Sequence, residues 1–503
     1  MCKFATEEHL QKYLIRLAAF AIPNNKSSSF CYAIRLMRLR GEEVSNKCDK
    51  GKNMEQDKFS LFDFCKKRAS KLEIYGEETL DEEGNIIPFV EQAAIVTHYL
   101  QLNGKNVVLP YSSKAENILN LWHNFLRGEK NFIANDKMTV AEPDSFFQQY
   151  LFQDVYQAPF QASDNPKFKF IDLFAGIGGF RMAFQNLGGE CVFSSEWDDQ
   201  AKRTYYANYG DVPFGDITKE STKNKIPKDF DILCAGFPCQ AFSLAGKRRG
   251  FAETRGTLFF DVAEILRRHQ PKAFFLENVK GLAIHDKGKT LETILNTLDE
   301  VGYTVPDPQI LNAMHYGVPQ HRERIYIVGF RKDLGIKKED FSYPEKHKDI
   351  PCWLDVREKN PVPAKYYLSE TYVETLRRHR ARHEAAGHGF GYKIIDDNSV
   401  ANAIVCGGMG RECNLVLDFR QTNLVPTTNI KGEINKEGIR KMTPREWARL
   451  QGYPDNFKIV VADASAYKQF GNSVAVPAIQ ATAEQLLSTL KNHNILNYGI
   501  DRE

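Results

Sequence analysis

The residues best suited to chemistry in this 503-residue chain lie at 236–243, which read Gly-Phe-Pro-Cys-Gln-Ala-Phe-Ser. The run before them, Asp231-Ile232-Leu233-Cys234-Ala235, has the apolar character of a buried strand. Proline fixes its own φ and lacks an N–H, so the turn presents Cys239 in a restricted geometry. A cysteine held there is a nucleophile when its neighbours favour the thiolate, and a small packing residue when they do not. Glu277 is the second candidate. It ends the apolar run Ala273-Phe274-Phe275-Leu276, which predicts a place at the edge of a sheet, partly desolvated, with a raised pKa suited to sharing a proton. Arg322 and Arg324 follow, in Gln320-His321-Arg322-Glu323-Arg324. Residues 320, 322 and 324 share one side if the strand around 325–330 begins that early. Otherwise they form a solvated charged edge.

A second group has the order of a nucleotide-type site. An apolar β-prone run at 168–173 enters a turn holding Phe174, Gly176, Gly178 and Gly179, and a helix follows. The spacing differs from the dinucleotide pattern, so no phosphate cradle is required, and tight packing would ask for the same glycines. The next apolar run, 191–195, ends at Glu196-Trp197-Asp198. Glu196 is placed to hydrogen-bond ribose hydroxyls, and Trp197 offers a flat face to a purine. In Gly215-Asp216-Ile217-Thr218, Asp216 can accept from an exocyclic amine. Each taken alone reads as surface charge or a loop cap. In this order, at successive strand ends, they read as an adenosine pocket.

The ordered segments DLFAGIGGF, EWD, GDIT, GFPCQAFS, ENV and QHRER, then TPREWARLQGYP and YKQFGNSVAVP, resemble the bacterial DNA (cytosine-5)-methyltransferases of type II restriction–modification systems. The resemblance covers about 168–330 and 439–480. It implies an α/β fold: a doubly wound, mostly parallel sheet of the S-adenosylmethionine-dependent methyltransferase type, a smaller target-recognition domain, and duplex DNA in the cleft between. It implies that Cys239 adds to carbon 6 of a cytosine flipped out of the duplex, while Glu277 serves ring nitrogen 3. Arg322 and Arg324 would stabilise the ring oxygen and a neighbouring phosphate. S-adenosylmethionine would be held by Phe174, Gly176, Gly178, Gly179, Glu196, Trp197, Asp216, Ile217, Pro238, Asn472 and Ser473. Gln240, Ser243, Lys247, Arg248, Arg255 and Gln320 would touch DNA, with 243–256 as a lid. A restriction endonuclease is the implied functional partner, and the working unit is expected to be a monomer. Two other readings stay open: an RNA cytosine methylase on the same core, and a silent DNA-binding or cofactor-sensing protein. The insert of roughly 100 residues between the catalytic halves favours a DNA reader, and the intact cysteine, glutamate and cofactor set favours an enzyme.

The elements that must position these residues divide the chain. An accessory region is expected at 1–165, the cofactor and catalytic domain at 166–330, a reader at 331–438, and a return to the catalytic domain at 439–503. Strands alternate with amphipathic helices, one from Thr257 to His269 and another from Lys289 to Val301. In the reader, Arg377, Arg378, Arg380 and Arg382 suit phosphates or a solvated helix face. A net charge of +3, with 26% charged and 42% hydrophobic residues, neither demands nor excludes a nucleic-acid partner. No apolar run has the length of a membrane span. The 10 cysteines form no paired CxxC clusters, so no structural metal is expected and a reducing cytoplasm suits the chain.

Overall fold

The computed structural model describes residues 79–81, 84–128, 153–238, 258–407, 410–421, 423–427, 430 and 432–496. Cys239, Gln240, Ser243, Lys247, Arg248 and Arg255 lie outside the described residues.

Near-continuous apolar runs are what strands covered on both faces require. Four such runs, β1 (Phe168–Leu173), β2 (Gly189–Ser195), β3 (Ile232–Gly236) and β4 (Ala273–Val279), pair in parallel in the order β2-β1-β3-β4. The other half of the sheet is antiparallel. After β5 (Tyr303–Thr304), β6 (Gln309–Asn312) and β7 (Gln320–His321), the long strand β8 (Glu323–Arg331) runs against β4 and also pairs with β5 and β6. The order reverses between β1 and β3, the place where open α/β sheets bind ligands beyond their strand ends.

Two expectations change here. Glu277 is not on a sheet edge: β4 is an interior strand flanked by β3 and β8, and two residues of β4 follow Glu277. Nor does β8 begin at Gln320. The Arg322 N–H turns back to the Gln320 carbonyl (2.9 Å) and to Asn312 Oδ1 (3.0 Å), while β7 pairs separately with Ala401–Asn402.

The helices come close to the periodicity of the sequence. Leu258–His269 buries Val262, Ile265 and Leu266, and Lys289–Glu300 buries Ile294 and Leu298. The main core runs from Phe170 and Phe184 through Phe275 and Tyr326 to the returning segment, where Trp447, Phe470 and Leu486 are buried. Residues 331–438 are not wholly separate. Trp353, Ile404 and Val416 join the main core, while Leu368, Val373, Leu376, Leu415 and Ile439 form a small core of their own.

The accessory region's described residues up to 121 belong to one compact unit with those from 153 onward. Helix Phe89–Leu102 buries Ala93, Ala94, Ile95 and Val96, and its Gln101 amide reaches the Tyr209 carbonyl at 2.6 Å. No helix among the described residues is long and apolar enough to cross a membrane.

Candidate active site

The turn after β1 is left-handed at Phe174 (φ 56), Gly176 (φ 56) and Gly178 (φ 83). Its glycines serve different ends. A Cβ at Gly178 would lie 2.3 Å from the Tyr209 ring, and one at Gly179 would lie 2.6 Å from Val474, so packing alone demands both. A Cβ at Gly176 would meet nothing closer than 4.0 Å, which leaves open space beside this backbone. Glu196 holds the turn in place. Its Oε2 accepts from the Gly176 N–H at 2.8 Å, and its Oε1 accepts from the N–H groups of Trp197 (2.9 Å) and Asp198 (2.8 Å). Burial raises its pKa, and these amides partly offset that. Trp197 beside it is 82% exposed, a free platform. Asp216 spends Oδ1 on the backbone and hydroxyl of Thr218 (3.0 and 2.8 Å), and its Oδ2 carries no hydrogen bond among the described residues. Ile217 is buried beneath it.

Two further groups were not singled out in the sequence. Asp172, on β1 one residue from its end, is 1% exposed, and no side chain hydrogen-bonds its carboxyl, which has only the Arg181 backbone N–H nearby. Ser195, which pairs with Leu173 across the sheet, has a buried hydroxyl with no partner. Such orphans await a ligand or cost stability. Burial, only partly offset by Arg181, pushes the Asp172 carboxyl up to about 8. A cationic ligand with hydroxyls and an aromatic base fits this rim: Asp172 and Ser195 within, Gly176 open, Trp197 and Asp216 outward. S-adenosylmethionine has all three features. The signal that could have found Asp172 is its type, an acid inside an otherwise buried apolar strand.

Asp172 gives the first expected result. At neutral pH its carboxyl is largely protonated, so a cation binding beside it expels that proton. Titration of S-adenosylmethionine in buffers of different ionisation heats should show up to about 0.9 of a proton released at pH 7, a ceiling that falls to about half by pH 8 as the free carboxyl ionises by itself. Asp172→Asn should release none and bind more weakly. Between the unfolded carboxyl value near pH 4 and the folded value of about 8, the native state holds a proton the unfolded state lacks. The wild type should therefore lose stability relative to Asp172→Asn as pH rises, by up to ~1.4 kcal/mol per pH unit. Equal proton release by both proteins would remove Asp172 from the site.

At the next strand ends, β3 and β4 set Gly236 beside Glu277 in register. The Asn278 side-chain amide donates to the Phe237 carbonyl at 2.8 Å, tying the turn that carries exposed Pro238 to the end of β4. Glu277 is 8% exposed, and its Oε1 lies 3.1 Å from Arg324 Nε. Burial raises the Glu277 pKa, with Arg324 and then Arg322 opposing. Arg324 keeps part of its side chain open to solvent.

Arg322 and Gln320 are placed differently from expectation. Arg322 is 2% exposed, and its guanidinium donates to the carbonyls of Ile404 (3.0 Å), Gly471 (3.3 Å) and Ser473. Burial, with Arg324 adding to it, pushes its pKa down to about 9. It ties residues 331–438 to the returning segment, with its Nε buried and unpartnered. Gln320 is fully buried, donating to the Leu450 carbonyl (2.8 Å) and accepting from Ile404 N–H (3.0 Å), so it braces the same junction and has no amide left for a base edge. Ser473 is nearly buried with its hydroxyl on Tyr453 (2.7 Å), whereas Asn472 is exposed.

Helix Glu370–Ala385 carries Arg377, Arg378, Arg380 and Arg382. Arg377 pairs with Glu374 (2.7 Å) and Glu437 (2.5 Å), and Arg380 with Glu384 (2.7 Å). Arg378 and Arg382 are exposed and have no acidic partner among the described residues.

Residues 168–488 match the family described as C-5 cytosine-specific DNA methylase. The Type II methyltransferase M.HpaII of Haemophilus parainfluenzae is 68% identical over 338 residues, covering 66% of this chain and 94% of the relative. M.SsoII of Shigella sonnei is 47% identical over 333 residues (66% and 83%), and M.HhaI of Haemophilus parahaemolyticus is 42% identical over 332 residues (64% and 95%).

Proposed function

We propose, from the premise that the chain belongs to the C-5 cytosine-specific DNA methylase family, the roles its own residues take in the reaction. The chain methylates carbon 5 of cytosine in DNA, with S-adenosylmethionine as methyl donor. The single observation that carries the proposal is Glu277, buried and raised in pKa, beside the end of β3 three residues before Cys239.

Carbon 5 of cytosine is a poor nucleophile. The Cys239 thiolate adds to carbon 6, and the Glu277 carboxyl gives a proton to ring nitrogen 3, so the electron pair collects on carbon 5 instead of on a nitrogen anion. S-adenosylmethionine, when bound, supplies the electrophilic methyl that carbon 5 takes. Loss of the carbon 5 proton to water, departure of the Cys239 sulfur as thiolate and return of the nitrogen 3 proton to the Glu277 carboxylate then restore the ring and both residues. Arg324 holds Glu277 in place and lends positive charge beside the ring. Asn278, through the Phe237 carbonyl, fixes the Pro-Cys turn. The target base must leave the stack, at a cost of a few kcal/mol, and 243–256 is the segment that would cover it. The bacterial source of the relatives supports work in the cytoplasm, one catalytic set per chain supports a monomer, and the type II names of the relatives support pairing with a restriction endonuclease.

Residues 331–438 are the reader, and the test separates positioning from reading. Bisulfite sequencing of DNA treated with the enzyme should show one short methylated sequence. Arg378→Ala and Arg382→Ala should leave that sequence unchanged and weaken binding to every duplex, each lowering the salt slope by up to about 0.9. The Glu-paired Arg377 and Arg380 should matter less. A changed target sequence in either variant would make these arginines base readers instead.

A further inference from the structure

The family match begins at Phe168, and the aligned part of M.HpaII takes up 94% of that relative, so the segment before Phe168 has almost no counterpart there. In this chain the segment is built onto the cofactor rim. The stretch from Asp211 to Ile217 runs along the end of β2: the Phe214 N–H donates to the Ser194 carbonyl (2.9 Å), and the Glu196 N–H donates to the Phe214 carbonyl (2.8 Å). Those bonds tie Asp216's loop to Glu196 on one side. The other side is held from residues 91–111. The Thr97 hydroxyl, fully buried, accepts from the Val212 N–H at 3.0 Å and donates to the Ala93 carbonyl at 2.7 Å. The Phe214 ring lies between His98 (centroids 4.7 Å apart) and Tyr111 (5.4 Å), and stacks on Phe193 (5.1 Å). Glu91 leans over Gly215, where a Cβ would come within 2.5 Å of its Oε1, and it pairs with buried Lys202 at 3.3 Å.

We infer that residues 91–111 are a cofactor clamp: they fix the loop carrying Asp216 from behind and thereby set the affinity for the adenosine end of S-adenosylmethionine. The inference rests on the reading of Asp216 as an adenosine contact. A loop one residue from a ligand contact binds well only if its geometry is preset, since ordering it on binding subtracts from affinity. In this chain the loop's Val212 N–H would have no acceptor without Thr97. Thr97 is a positioning residue, touching no substrate.

The test uses the full chain. Thr97→Val keeps shape but leaves the Val212 N–H unpaired, and should raise the Kd for S-adenosylmethionine roughly five- to tenfold by calorimetry. S-adenosylhomocysteine, which shares the adenosine end, should weaken by the same factor. Thr97→Ser should restore binding to within about twofold, and Glu91→Ala should shift it in the same direction by less. KM for S-adenosylmethionine should follow Kd, with kcat and DNA affinity unchanged. A melting scan sets the working temperature below the unfolding of each variant. A Thr97→Val protein that is folded and binds both ligands as the wild type does overturns the clamp, as does one that loses kcat and DNA binding along with cofactor. Asp216→Ala is the separate arm: unchanged affinity there would sink the adenosine reading of Asp216, whatever Thr97→Val does.

Discussion

Cys239→Ser should lose turnover by at least about 10⁴-fold, the scale on which removal of a covalent nucleophile acts. The argument is ionisation. A cysteine near its ordinary pKa is a few per cent thiolate at neutral pH and more beside a cation, whereas a serine hydroxyl without a dedicated base stays protonated. The residues read as cofactor contacts do not include Cys239, so affinity for S-adenosylmethionine should stay within a few fold. A duplex carrying 5-fluorocytosine blocks the final proton loss, because carbon 5 then bears fluorine where the hydrogen was. The wild type should be trapped as a covalent adduct at Cys239, and the serine variant should give none. The other cysteines set the control. Cys191 and Cys234 are buried in the sheet, where burial pushes the Cys191 thiol up to about 12 and the Cys234 thiol also upward. An adduct mapped to either would overturn the assignment.

What was legible in the sequence was the order of strand ends, because a parallel sheet turns linear order into spatial adjacency. Gly176, Glu196, Asp216 and Glu277 reach one rim from residue type and strand position alone. What was not legible depends on which partner each side chain finds. Arg322 and Arg324 look alike in the motif, but one is spent on three backbone carbonyls and the other pairs with the buried carboxylate. Gln320 reads as a polar residue near DNA and is instead a fully buried brace. Gly178 and Gly179 read as ligand glycines, yet Tyr209 and Val474 fill the space a side chain would need. Asp172 carries one mark in the sequence, an acid inside an apolar run, and its burial without a side-chain partner is visible only in the fold. The segment 91–111 carries no motif, since its role is expressed through Thr97, His98 and Tyr111 touching a loop more than 100 residues away.

Glu277→Gln should keep the side-chain volume and lose the proton, and kcat should fall by about 10²–10⁴-fold, the usual worth of a positioned general acid. Its pH profile is the sharper reading. In the wild type two groups oppose each other: Cys239 must be ionised, so rate rises with pH, and Glu277 must be protonated, so rate falls once pH passes its raised pKa. The falling limb should vanish in Glu277→Gln and leave a profile that only rises. Arg324 supplies the complementary sign. Its guanidinium 3.1 Å away favours the charged carboxylate, so it works against the burial that raises the pKa. Arg324→Ala removes that opposition, raises the Glu277 pKa further, and should carry the falling limb to higher pH even as the rate drops. If the falling limb survives unchanged in Glu277→Gln, the proton at ring nitrogen 3 comes from elsewhere. If Arg324→Ala moves it downward, the pair is not the electrostatic unit that its geometry describes.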